Sequence, residues 1–199
     1  MNHCLLFNVI DPTKVSSRTG GVYRIATHLR KQGWDVEVID FGCAWTLDEL
    51  KLLAVSRVTS NTKFFGFSHF FSTWTETFEQ FIKWSRTKWE LKYISGSSVN
   101  PLFSSNEIDY YIQGFGENAI TTLLKYLFSN GERPRFLVNT GKKIINANND
   151  YPSYPLDDLG NVYENRDFIQ QGEWLNVEFA RGCMLDRKST RLNSSHITI

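Results

Sequence analysis

Cysteine is the residue type in this sequence with the clearest capacity for redox or metal chemistry. The chain has three, Cys4, Cys43 and Cys183. They are an odd number at wide spacings, so they predict no disulfide framework, and no two of them form a short metal-ligand motif. Cys4 and Cys43 lie in or beside apolar segments, where free cysteine usually packs as a small hydrophobic residue. Cys183 follows Arg181 and Gly182, and an exposed cysteine after a strand is the plain structural interpretation of that tripeptide.

Small residues follow several apolar runs and could let a ligand approach the backbone. They are Ser68, Gly96, Gly114 and Gly116, and Glu117 then begins a helix whose N-terminus would offer exposed N–H groups. Glycine permits tight turns and close approach because it has no β-carbon. The alternative is that a sheet of parallel strands needs glycines in these turns whatever it binds.

Strand-like and helix-like segments alternate over the first 130 residues and must position these side chains. Short apolar runs bounded by turn residues predict five strands, over 4–10, 35–41, 63–70, 90–96 and 109–114. Helical periodicity and N-cap residues predict helices over 22–33, over 46–58, after residue 70, and over 117–128. This alternation indicates an α/β fold with a doubly wound, five-stranded parallel sheet of the flavodoxin-like or Rossmann-like type. The expected strand order is 2-1-3-4-5, with ligands bound beyond the carboxyl ends of the strands.

The pattern changes after residue 131. Two strand-like runs around 139–141 predict a hairpin, and a Pro-, Tyr- and Asp-rich stretch predicts a linker. The linker is expected to pack through its apolar residues, which are Tyr151, Tyr154, Leu156 and Tyr163. One more strand then runs into the loop that holds the third cysteine. The predicted organisation is an α/β domain over 1–148, a linker over 149–173 and the start of a further domain over 174–184.

Residues 185–199 do not continue this organisation. They are polar, lack a period, and resemble translated adapter or vector sequence. We therefore expect a non-native tail that is detached from the domain, and we give its His196 no functional weight.

Residues 176–183, Asn-Val-Glu-Phe-Ala-Arg-Gly-Cys, resemble the first barrel strand and the following loop of radical S-adenosylmethionine enzymes. In that family an Arg-Gly-Cys often supplies the first of three cysteines spaced Cys-x3-Cys-x2-Cys. The resemblance implies that Cys183 is a ligand of a 4Fe–4S cluster, whose open iron binds S-adenosylmethionine. The sequence departs from the pattern at Arg187 and Thr190, where the other two cysteines would stand. One thiolate cannot hold the cluster, so we expect cluster and S-adenosylmethionine only in an intact parent enzyme, and this fragment to be inactive.

The preceding residues resemble the cobalamin-binding portion of the same family. Residues 151–158, YPSYPLDD, are similar to the linker that joins such a domain to the radical barrel, and the segments 20–40, 66–68 and 109–117 are similar to parts of the domain itself. The resemblance implies an N-terminal portion of a radical S-adenosylmethionine enzyme, a group that includes methyltransferases. It implies cobalamin with its corrin over the carboxyl ends of the strands. The residues implied near its nucleotide tail or the adjoining helix start are Ser68, Gly96, Gly114, Gly116 and Glu117.

A cobalt-ligating histidine is absent from the loop after the first strand. The Asp-x-His-x-x-Gly motif of methionine-synthase-like domains does not occur there, because DPTKVSSRTGG stands at 11–21. The resemblance still allows cobalamin, since many radical enzymes of this group bind it without a protein ligand. His69 stands beside Ser68 and could approach a ligand, but packing is the expected role of a histidine at a strand end.

Composition excludes several classes of partner. Lys and Arg number 22 and Asp and Glu 21, so no basic field would attract nucleic acid or an anionic membrane. No apolar run approaches the roughly 18 residues that a membrane helix needs, and the N-terminus lacks signal-peptide features. We therefore expect a soluble, cytoplasmic protein whose partner is a small-molecule cofactor. The sequence leaves its oligomeric state open.

Two other functions remain possible on the residues alone. One is a non-catalytic, doubly wound module that binds a small ligand or has a regulatory role. The weaker one is a nucleotide-dependent transferase with a Rossmann-like domain, against which stands the lack of a G-x-G-x-x-G after the first strand and of a P-loop.

Overall fold

The structure is a computed structural model. It describes residues 1–13, 17–69, 75–97, 106–135, 137–139, 143–147 and 160–175. Within these residues there are seven strands, β1 (His3–Val9), β2 (Asp35–Ile39), β3 (Thr62–His69), β4 (Lys92–Ser97), β5 (Tyr110–Gln113), β6 (Leu137–Asn139) and β7 (Lys143–Asn146). Four α-helices accompany them, α1 (Gly20–Lys31), α2 (Leu47–Arg57), α3 (Glu76–Arg86) and α4 (Gly116–Phe128).

The strands form one sheet in the order β2-β1-β3-β4-β5-β7-β6. The first five are parallel, which confirms the predicted doubly wound arrangement and its 2-1-3-4-5 order. The predicted count of five strands is too low, because the hairpin joins the same sheet. In it β7 pairs parallel with β5, and β6 pairs antiparallel with β7. The hairpin thus covers an edge of β5 whose N–H and C=O groups would otherwise lack strand partners.

The core has one layer on each face of the sheet. Alternate residues of β1 divide between the layers, with Cys4 and Leu6 on one face and Leu5 and Phe7 on the other. The first face packs against α1 and α4 and is mainly aliphatic. The second packs against α2 and α3 and is much richer in aromatic rings, so we call it the aromatic layer. Burial on both faces explains why the strands are continuous apolar runs in the sequence.

Local signals in the sequence fix several helix ends. Thr46 and Glu49 form the predicted capping box at the start of α2, with the Thr46 hydroxyl accepting from the Glu49 backbone N–H. Gly33 follows α1 with φ +81°, a conformation that favours glycine. Thr75 caps α3 by accepting from the backbone N–H of Phe78. Among the described residues, no helix combines the length and the apolar character needed to cross a membrane.

Residues 160–175, which we call the exit segment, pack against the domain instead of leaving it. Tyr163 lies on Tyr23 with ring centroids 4.5 Å apart, as predicted for the linker. Val162 and Thr27 exchange hydrogen bonds, in which the Val162 N–H donates to the Thr27 hydroxyl at 2.9 Å. A 3₁₀ turn at Asn165–Asp167 follows. The other predicted packing residues Tyr151, Tyr154 and Leu156 lie outside the described residues, as do 176–199 with Cys183 and the predicted tail.

Candidate functional site

A row of small and polar residues crosses the sheet near the carboxyl ends of its central strands. Asn8 of β1 is in register with Ser68 of β3, Ser68 with Gly96 of β4, and Gly96 with Ile112 of β5. By strand alternation these positions lie on the face that packs against α1 and α4. The apolar core of that face therefore gives way to an amide, a hydroxyl and a glycine where a doubly wound sheet binds ligands.

Gly96 leaves space in this row. A β-carbon there would lie 3.8 Å from the carbonyl oxygen of Ile112 and would meet no other described heavy atom within 4 Å. Its neighbour Ser68 is half-buried. Of the four predicted small residues, these two lie in the row, and neither is fully enclosed by the residues that the structure describes.

The other two glycines are required by the fold itself. Gly114, directly after β5, has φ +96°, which a side chain would strain. A β-carbon at Gly116 would lie 3.3 Å from the Ile25 Cδ1 atom, so the absence of a side chain lets α4 approach α1 closely. The structure gives each of these glycines a structural reason that is independent of any ligand.

Glu117 is buried and paired with a cation. Its Oε1 atom accepts from the Nε atom of Arg24 at 3.1 Å, and both side chains are only 4% exposed. The carboxylate lies in the first turn of α4, where it also opposes the positive end of the helix dipole. The pair holds α1 against the start of α4, and this contact accounts for Glu117 without a cofactor.

An ion-paired network that the sequence analysis did not identify lies beside the row. Its centre is Asp40, which follows β2 and has a side chain that is 6% exposed. Asp40 accepts from the Asn8 amide at 2.6 Å and from the Arg18 guanidinium at 2.8 Å, and it also accepts from the Tyr23 hydroxyl. The Thr19 hydroxyl donates to the side-chain Oδ1 atom of Asn8 at 2.8 Å. The network therefore orients the Asn8 end of the row.

Two donors of the network, Tyr23 and Arg18, keep their protons at neutral pH. Burial, followed by the neighbouring Asp40 carboxylate, raises the pKa of the Tyr23 phenol well above its ordinary value. Burial lowers the pKa of the Arg18 guanidinium, but its hydrogen bonds to Glu173 and Tyr23 outweigh that effect and raise it. Tyr23 is therefore a neutral donor and Arg18 a permanent cation.

The two described cysteines differ in access. Cys4 is fully buried in β1, and that burial raises the pKa of its thiol, which lowers the thiolate fraction. Cys43 lies half-buried in a 3₁₀ turn after β2. Among the described residues, no group of three or more His, Cys, Asp or Glu is arranged to hold a metal ion.

We expect Cys43 to react with iodoacetamide in the native protein more than about a hundredfold faster than Cys4, because a core strand opens only with global unfolding. Peptide mass spectrometry after timed labelling gives both rates. In 8 M urea, a concentration chosen to unfold the chain, the two rates should converge to within about threefold, since only thiolate content then matters. Equal native rates would show that β1 is not part of the stable core.

Solved structures that share this fold include two of one enzyme. One is TsrM from Kitasatospora setae, a radical S-adenosylmethionine methyltransferase, with cobalamin and a [4Fe-4S] cluster bound. It has a TM-score of 0.51 and 18% identity over 67% of this chain and 26% of that chain. The other is the same enzyme with its tryptophan substrate and the S-adenosylmethionine analogue aza-SAM, with a TM-score of 0.50 and 17% identity over 67% of this chain and 27% of that one.

The match to TsrM is partial and structural. The chain spans about a quarter of the length of that enzyme. No protein-family model matches the chain, and no curated protein sequence matches it. At this identity the comparison concerns architecture, and it shows that the chain has the doubly wound α/β fold found in part of a cobalamin-binding radical S-adenosylmethionine methyltransferase.

Proposed function

We propose that residues 1–148 bind cobalamin at the carboxyl ends of β3 and β4, as the N-terminal portion of a radical S-adenosylmethionine enzyme. The observation that carries the proposal is the open position at Gly96 beside the half-buried Ser68, in one row across the sheet. The fold shared with TsrM, whose structure was solved with cobalamin bound, supports it. The linker-like residues 151–158 and the Arg-Gly-Cys at 181–183 support the same assignment.

Each residue of the site has a defined part in this proposal. The Ser68 hydroxyl would hydrogen-bond the nucleotide tail, and Gly96 would let the tail approach the backbone of β4. Gly114, Gly116 and Glu117 would shape the adjoining turn and helix start. When bound, cobalamin can carry a methyl group, while the protein orients and shields it. Cys183 would be the first ligand of a 4Fe–4S cluster in the intact parent enzyme.

The position of Asp40 argues against the nucleotide-dependent alternative. In dinucleotide-binding folds, an acidic side chain after the second strand accepts from ribose hydroxyls. Asp40 stands at that place, but its carboxylate is buried and already accepts from Asn8, Arg18 and Tyr23. The oxygens that would hold a ribose are thus engaged within the protein.

Gly96→Trp should weaken binding of hydroxocobalamin at least about tenfold, or about 1.4 kcal/mol, because the indole would fill the open position. The matched control is Gly96→Ala, which adds only a β-carbon at van der Waals distance from the Ile112 carbonyl and should bind like the wild type. Gly96 is the better position for this test, because side chains at Gly114 or Gly116 would disturb folding. Binding is followed by the change in the corrin absorption spectrum, with melting curves for each variant.

The titration also separates the remaining functions. The bound spectrum should lack histidine ligation, since the loop after β1 has no histidine. Equal affinity of the wild type and Gly96→Trp would refute the proposed position. No binding by a folded wild-type chain would instead favour a small-ligand or regulatory module with another ligand.

A further inference from the structure

Arg18, in the connection between β1 and α1, donates four hydrogen bonds to the exit segment. Its Nε and Nη2 atoms donate to the two carboxylate oxygens of Glu173 at 2.6 and 3.0 Å. Nη1 donates to the carbonyl of Asp167 at 2.9 Å, and Nη2 to that of Phe168 at 3.2 Å. This two-pronged geometry, with further donors to backbone carbonyls, is specific to a planar guanidinium.

The same guanidinium is anchored in the domain. Nη1 also donates to Asp40 and to the Tyr23 hydroxyl, both at 2.8 Å, and the Arg18 side chain is only 9% exposed. One side chain therefore joins the exit segment to the network that orients Asn8. The hydrogen bond from Arg18 lowers the pKa of the Glu173 carboxyl, so this pair stays ionised at neutral pH.

Arg30 of α1 holds the same part of the exit segment. Its Nη2 and Nη1 atoms donate to the two oxygens of Asp167 at 2.7 and 2.9 Å. The Asp167 side chain is fully buried, so its charge is compensated by Arg30 in a low-dielectric environment. Two arginines thus position the 3₁₀ turn of the exit segment from opposite ends of α1.

A backbone contact of Arg18 places the end of the exit segment at one edge of the sheet. Arg18 follows the carboxyl end of β1, and it forms a parallel β-bridge with Leu175. Leu175 therefore lies at the same edge of the sheet as Ser68 and Gly96, which are near the carboxyl ends of β3 and β4.

We infer that Arg18 is a clasp that fixes the exit segment, as far as Leu175, to the carboxyl-terminal edge of the sheet, where Ser68 and Gly96 lie. The clasp consists of hydrogen bonds that Arg18 makes within this chain, and it does not depend on any cofactor. Only its use, which is to hold the exit segment beside a bound cofactor, rests on the proposed function. Arg18 is a positioning residue in that sense.

Hydrogen exchange followed by mass spectrometry, on the whole chain without cobalamin, tests the clasp. Glu173→Gln removes the ionic half of the contact and leaves Asp40, Tyr23 and Asn8 paired. It should raise amide exchange of peptides within 160–175 at least about fivefold, since hydrogen bonds to charged groups contribute about 1.5–3 kcal/mol. Arg18→Lys should do the same, because an ammonium group cannot form the two-pronged contact.

The control is Arg57→Lys, which alters an exposed ion pair with Glu37 at 3.6 Å and should leave the exit segment unchanged. Peptides from β1 and β3 report whether each variant stays folded. A wild-type exit segment that exchanges like an unfolded peptide would overturn the inference, as would unchanged exchange in both Glu173→Gln and Arg18→Lys. Failure of hydroxocobalamin binding would leave the clasp intact and remove only the proposed function.

Discussion

Replacing Phe7 with alanine should lower the free energy of unfolding by about 3–5 kcal/mol, a large part of the total for a domain of this size. Phe7 is fully buried in the middle of β1. Its ring stacks on Phe67 at 5.3 Å and makes edge contacts with Phe65, Phe78 and Phe81 at 5.5, 6.0 and 5.4 Å. Phe7 is therefore the side chain that the other rings of the aromatic layer share, and its neighbours on β3 and α3 cannot all move into the space left behind.

Urea unfolding followed by far-ultraviolet circular dichroism measures the loss. The matched control is Phe115→Ala, because Phe115 is 41% exposed just before α4 and should change stability by less than about 1 kcal/mol. Similar losses in the two variants would mean that the aromatic layer is not packed as described. A changed dependence on urea concentration would point to altered compactness instead.

Replacing Arg24 with methionine should cost about 3–5 kcal/mol, because it leaves the Glu117 carboxylate buried without its cation. The two side chains are 3.1 Å apart and each is 4% exposed. The double variant Arg24→Met/Glu117→Met should recover much of the loss, since it removes both charges and keeps apolar volume between α1 and α4. The cycle therefore separates the desolvation cost of one charge from the contribution of the pair.

Calorimetric melting of the wild type, both single variants and the double variant gives the cycle. Lys83→Met is the control, since Lys83 is 59% exposed and lies 3.9 Å from Glu79 on the surface of α3. It should shift stability by less than about 1 kcal/mol. A double variant less stable than either single variant would show that the two residues act independently.

Most of the fold could be predicted because each parallel strand carries its own signals. Apolar runs buried on both faces, the capping box at Thr46 and the glycine stop at Gly33 are local, and right-handed crossovers then restrict the strand order. The two added strands could not be assigned to the sheet. The residues around 139–141 predict a hairpin, but periodicity does not say which edge a hairpin joins.

The candidate site was also predictable only in part. Ser68 and Gly96 could be placed together because the ends of neighbouring parallel strands meet at one edge. The contact between Arg18 and Glu173 joins residues 155 positions apart, and no spacing in the sequence connects them. A glycine in a sequence does not reveal why it is there. Gly114 is explained by its backbone conformation and Gly116 by helix packing, but in the sequence both are equally consistent with the close approach of a ligand.

The two outer edges of the sheet bear on how one molecule meets another in concentrated solution. On β2, the Arg30 guanidinium donates a hydrogen bond to the Val36 carbonyl at 2.8 Å, and Arg166 forms an ion pair with Asp35. On the other side, β6 is only three residues long. A foreign strand would have to displace these two arginine contacts at the first edge and would find little template at the second. Intermolecular strand addition, the usual route from a β-sheet to fibrils, is therefore disfavoured at both ends of this one.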